Sequence, residues 1–77
     1  MDMRKLVGRN VRRFRQLKSL TQEELSVASG FSQQYISGLE RGGRNPTVVS
    51  IYELAQALGI HYLELLKPER SRNRAKK

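Results

Sequence analysis

The 77-residue chain predicts an all-α fold, a bundle of five short helices. Apolar residues recur at intervals of three and four, Ser and Thr stand where helices would be capped, and glycines at 30, 42, 43 and 59 punctuate the pattern. A domain of this size buries only about 60% of the surface its unfolded chain exposes, so the core must come from few side chains. With no internal repeat and no change of composition before residue 67, one domain is expected over 1–66, followed by a basic tail over 67–77.

The first helix is expected from about Met3 to Lys18, where Val7, Val11 and Phe14 form one stripe with Leu6 and Leu17 alongside. Lys5, Arg9 and Arg12 fall on the opposite face and read either as a solvated surface or as a weak attraction for a polyanion. The string LTQEEL at 20–25 is a strong start signal: Thr21 caps, Glu24 completes a capping box, and Leu20 and Leu25 stand at staple spacing. The second helix therefore begins at Gln22, buries Leu25 and Ala28, and stops at Gly30, which can take the left-handed conformation of a helix end. One residue later Ser32 caps a third helix running to about Arg41, with Phe31 and Ile36 again at staple spacing. Two short helices joined by so brief a turn must cross steeply, which is a helix-turn-helix. Asn45, Pro46 and Thr47 then turn and cap a fourth helix with Val48, Ile51, Leu54, Ala55 and Leu58 on one face, closed by Gly59. The segment IHYLELL predicts a fifth helix, halted by Pro68. The tail KPERSRNRAKK has too little apolar surface to order itself, and its charge reads as a solvated end or a nonspecific polyanion contact.

Composition removes several function classes. There is no cysteine, hence no disulfide framework, thiolate metal site or thiol nucleophile. The opening MDMRKLVGRN carries charges where a signal peptide needs an unbroken apolar stretch, and no apolar run reaches the roughly 18 residues of a membrane span, so a cytoplasmic, nucleoid-associated location is expected. No Gly-rich phosphate loop or nucleophile–histidine arrangement is present, and Glu23 with Glu24 is explained by the helix start, so no enzyme, cofactor or metal is expected. A single histidine, His61, reads as a cap or surface residue. With one domain expected, no small-molecule ligand is expected either. The net charge of +8 divides into +6 over residues 1–18, −3 over 19–66 and +5 over 67–77. The only basic residues of the middle, Arg41 and Arg44, bracket the end of the third helix, which suggests a positioned contact.

That third helix carries the function. Only Ile36 and Leu39 are aliphatic in it, leaving most of its surface free. Gln33 and Gln34 follow its cap, and a glutamine amide can meet adenine N6 and N7 bidentately, worth about 1–3 kcal/mol of discrimination. Ser37 lies one turn further on the same side. Tyr35 either packs with its hydroxyl on phosphate or touches a thymine methyl. Arg44 and Asn45, on the loop beyond, read as phosphate contacts, as does Gln22 at the start of the second helix. Arg41 divides between capping its own helix and touching DNA. Arg15, at the margin of the first helix's stripe, pairs plausibly with Glu40 and would set the angle between two helices. Tyr62, Leu63, Leu65 and Leu66 are more apolar residues than a short last helix needs, which points to a homodimer with recognition helices about 34 Å apart. The competing reading is a helical protein-interaction module, an antitoxin-like or coactivator-like adaptor.

The string TQEELSVASGFSQQYISGLERGGRNPT resembles the helix-turn-helix of the XRE/Cro family of bacterial and phage regulators, and the likeness extends over roughly residues 6–66 through NVRRFR and IYELAQALGI. YISGLERGGRNPT is also similar to the controller proteins of restriction-modification systems. The resemblance implies a five-helix, lambda-repressor-like domain whose third helix enters the major groove of double-stranded DNA, with homodimers on palindromic operators. It places base-reading positions on Gln33, Gln34 and Ser37, phosphate-clamping ones on Gln22, Arg44 and Asn45, and a buried ion pair on Arg15 with Glu40. The chain departs from the family's habit at Ser26 and Ser29, where alanine is common, at Gly38, where a long side chain is common, and at His61, which replaces a serine-like cap.

Overall fold

The computed structural model describes residues 1–69. It contains four α-helices, α1 (Met3–Leu17), α2 (Gln22–Ser29), α3 (Gln33–Glu40) and α4 (Val48–Leu58), and one 3-10 turn (Tyr62–Leu65). Among the described residues there is no strand. The basic tail expected over 67–77 lies outside the described residues from position 70 onward.

Each helix begins where a side chain satisfies its free amides. Asp2 caps α1 by accepting from the N–H groups of Arg4 and Lys5. Thr21 and Glu24 close a reciprocal capping box on α2, with Thr21 Oγ1 accepting from Glu24 N–H and Glu24 Oε1 accepting from Thr21 N–H. Ser32 accepts from Tyr35 N–H at α3, and Thr47 from Ser50 N–H at α4. His61 caps the 3-10 turn through Nδ1, which accepts from Leu63 N–H at 3.1 Å.

The fifth helix of the sequence reading is a correction: Tyr62–Leu65 forms a single 3-10 turn rather than an α-helix. Only six residues separate the His61 cap from Pro68. A segment that short cannot repay helix nucleation with i→i+4 bonds. It closes instead with i→i+3 bonds, Glu64 N–H to His61 O and Leu66 N–H to Leu63 O, both 3.0 Å.

One core joins all these elements, built from Val7, Val11, Leu25, Ile36, Leu39, Ile51, Leu54, Ala55, Leu58 and Leu65. Four expected positions fall elsewhere. Leu17 is 67% exposed because α1 runs past the core before it ends, and Val48 is 83% exposed because the first turn of α4 overhangs it. Ala28 is exposed, since the inward face of α2 is Gln22, Leu25, Ser26 and Ser29. The two serines are tolerated there because the turn occupies them: Ser26 Oγ donates to Phe31 O, and Ser29 Oγ accepts from Phe31 N–H. Leu65, expected at a dimer surface, is fully buried in the core.

Two residues of α1 hold the rest of the molecule in place. At Gly8 an added Cβ would run into the carbonyl oxygen of Leu39, so α1 and α3 touch backbone to side-chain-free backbone. Asn10, 1% exposed, donates from Nδ2 to Leu65 O at 2.9 Å and Lys67 O at 2.8 Å, fastening the 3-10 turn to α1. Sequence patterning passed over Asn10, since a polar residue between Val7 and Val11 looks like surface.

Candidate nucleic-acid interface

Helix α3 is attached to the core by Ile36 and Leu39, both fully buried. Gln33 and Gln34, the first two residues after the Ser32 cap, are exposed and stand at the end where the helix dipole is positive. Ser37 is half-buried, and its hydroxyl accepts from Arg41 Nη1 at 2.6 Å, so these two side chains are coupled along the helix. Tyr35 packs against the fold: its ring stacks on Phe31, with centroids 4.9 Å apart.

The loop leaving α3 turns sharply. Gly42 takes φ +82°, a left-handed conformation that side chains resist. Gly42 N–H bonds Leu39 O and Gly43 N–H bonds Gly38 O, each at 2.9 Å, which satisfies the last carbonyls of the helix. Arg44 and Asn45 follow, both exposed. The Arg44 guanidinium carbon lies 5.3 Å from the Tyr35 ring centre.

Beneath the helix, Arg15 and Glu40 form a two-pronged pair, Nε to Oε2 at 2.6 Å and Nη2 to Oε1 at 3.0 Å. Their side chains are 12% and 4% exposed. Arg15 also donates from Nη1 to Leu20 O, and Gln22 Nε2 donates to Glu40 Oε1 at 3.1 Å. The hydrogen bond to Glu40 raises the Arg15 guanidinium above its ordinary value; desolvation opposes this and the carboxylate's charge adds to it. The start of α2 and the end of α3 are thus tied through one carboxylate to α1. Gln22, read from sequence as a phosphate contact, is engaged by Glu40 in this structure. A shallow polar cleft of about 240 Å³ opens over the pair, lined by Arg12, Arg15, Gln22, Ser37, Glu40 and Arg41. Three arginines against one carboxylate make it positive. Arg12 is a member that the sequence reading left on the outer face of α1; its spacing of three from Arg15 was the available signal.

Elsewhere on the molecule, Val48, Val49, Tyr52, Tyr62 and Leu63 are 83%, 64%, 48%, 43% and 49% exposed. Val48, Val49, Tyr52 and Tyr62 form an apolar surface with half-buried Leu66 across the start of α4 and the 3-10 turn, and Leu63 follows Tyr62 in that turn. Among the described residues no group of three or more His, Cys, Asp or Glu is placed to hold a metal ion, and no helix is long and apolar enough to cross a membrane.

This arrangement, a capped helix laid across a second one with its polar side uncovered, coincides with a known family: residues 11–65 match the helix-turn-helix family HTH_3. The chain belongs to that family, the XRE type of transcriptional regulator. It is 66% identical over 68 residues to an HTH-type transcriptional regulator, y4dJ, of Sinorhizobium fredii, covering 88% of each chain. Among solved structures it is similar to the hypothetical transcription factor NHTF from Neisseria, at 35% identity and a TM-score of 0.88, covering 96% of this chain and 85% of that one. It is also similar to the restriction-modification controller protein C.Esp1396I, whose tetramer was solved in complex with its natural 35-base-pair operator, at 29% identity and a TM-score of 0.77, covering 87% of this chain and 99% of that one.

Proposed function

We propose that this chain is a sequence-specific DNA-binding transcriptional regulator that acts as a homodimer on a palindromic operator, with α3 in the major groove. The observation that carries the reading is α3 itself: two buried aliphatic side chains hold it down, while Gln33 and Gln34 stand exposed just beyond its cap. Those amides are the base readers, meeting adenine edges. Ser37 and Arg41, already bonded to each other, flank them, and the Tyr35 ring braces the helix from the side. Asn45 and the positive cleft beside Gln22 meet the phosphates on either side, where contacts position the protein without reading sequence. The operator-bound relative C.Esp1396I supports the choice of duplex DNA as partner. The apolar surface of Val48, Val49, Tyr52 and Tyr62, with exposed Leu63 next in the chain, is the face on which two copies meet.

Selection of bound sites from a random duplex pool by the intact chain tests this. An inverted repeat is expected, and Gln33→Ala is expected to relax preference at one position of each half-site by about 5- to 100-fold. Enrichment of no sequence at all would assign the exposed helix to a protein partner instead.

A further inference from the structure

Arg44 does not point away from the helix that precedes it. The left-handed turn at Gly42 and the Gly43–Gly38 hydrogen bond reverse the chain, so the Arg44 side chain runs back along α3. Its Cγ, Cδ and Nε lie 3.3, 3.6 and 3.0 Å from the point that a Cβ on Gly38 would occupy. Gly38 follows Tyr35 by three residues and Gln34 by four, so these positions share one flank of the helix. The arginine stem therefore fills the strip that Gly38 leaves bare, and its guanidinium arrives over Tyr35, toward the turn that carries the exposed glutamines. The Tyr35 ring is itself held by Phe31, so the platform under the cation is rigid. Among the described residues no carboxylate is in salt-bridge contact with Arg44.

We propose that Arg44 reads a guanine in the major groove, serving α3 as the side chain that Gly38 does not provide. The proposal rests on the placement of α3 in that groove and replaces the expectation that Arg44 clamps a phosphate. A phosphate contact needs only a charge that reaches outward. A planar fork laid along the reading helix and steadied on an aromatic face suits an acceptor pair in a plane, and guanine O6 and N7 are such a pair. The Gly38 strip supplies the specificity of placement: any side chain there competes with Arg44 for the same space.

The test uses the intact chain and its selected duplex, with each guanine replaced in turn by 7-deazaguanine, which lacks the N7 acceptor. One guanine per half-site is expected at which this replacement weakens wild-type binding about tenfold. Arg44→Gln is expected to be insensitive to the same replacement, within about twofold. Gly38→Gln, whose side chain displaces the arginine, is expected to lose preference at that same base pair, with cooperative thermal unfolding as the check on its fold. A uniform loss of affinity across all duplexes in Arg44→Gln, with the 7-deazaguanine response intact, would make the residue a phosphate clamp and overturn the proposal. So would a selected site without guanine. If the wild-type chain enriches a site yet Arg44 shows no coupling, only this assignment fails; if it enriches none, the groove reading fails and takes this assignment with it.

Discussion

Glu40 accepts three hydrogen bonds, two from Arg15 and one from Gln22, inside a region where its own side chain is 4% exposed. Glu40→Ala leaves the Arg15 charge nearly buried without its counterion, and a loss of about 3–5 kcal/mol in chemical denaturation is expected. Replacing both partners, Arg15→Met with Glu40→Leu, is expected to recover most of that loss, because the cost lies in the stranded charge rather than in a net gain from the pair. Recovery stays incomplete, since the Leu20 carbonyl also loses its donor. Asn10 poses the complementary case, a neutral amide holding two carbonyls. Asn10→Ala is expected to cost about 2–3 kcal/mol, and Asn10→Leu is not expected to rescue it, because Leu65 O and Lys67 O remain without a donor; urea melts of the two variants check this.

At the scale of the helices, local signals were the most legible. Thr21, Ser32 and Thr47 cap where the sequence places them, because a cap is a contact within four residues and owes nothing to the rest of the fold. The inward face of α2 was not legible: Ala28 is the more apolar residue, yet Ser26 and Ser29 face inward because Phe31, in the following turn, bonds both hydroxyls. Val48 keeps helical register with Ile51 but lies beyond the reach of the neighbouring helices, and no periodicity reports where a core ends. The same distinction separates the parts of the interface. Gln33 and Gln34 are legible from their place after a cap, whereas the path of Arg44 depends on a reversed loop and on the absence of a side chain at Gly38. Asp2 was likewise missed as the cap of α1. Its surroundings would raise the carboxyl through desolvation, but hydrogen bonds from Lys5 and Arg4 N–H and their charges together hold it below the ordinary carboxyl range. Because the folded-state value is the lower one, the cap is fully present above the unfolded value of about 3.9 and is lost as pH falls through the folded one. The amide resonances of Arg4 and Lys5 are therefore expected to titrate together below about pH 4, and to stop doing so in Asp2→Ala.

For the whole molecule, two surfaces divide the work: a polar one on α3 and an apolar one over α4 and the 3-10 turn. Leu63 is 49% exposed and directly follows Tyr62, which lines the second. Leu63→Glu is expected to leave the circular dichroism and thermal midpoint of the monomer nearly unchanged while raising the dissociation constant of the proposed dimer at least about tenfold, as read by sedimentation. Leu65 sits two residues on but points into the core, so Leu65→Glu is expected to unfold the chain; the pair separates assembly from stability. What joins the two surfaces is α1. Gly8 presses its backbone onto α3, and Asn10, two residues on and on the opposite side of the same rod, grips the segment under the apolar face. The molecule is in consequence a caliper without a hinge: in the proposed dimer its jaws keep one gap. An operator lengthened by a single base pair moves one half-site by about 3.4 Å and swings it by about 35°. Among the described residues of each copy no linker separates the two surfaces, so in the proposed dimer the duplex itself is expected to bend or unwind to be gripped.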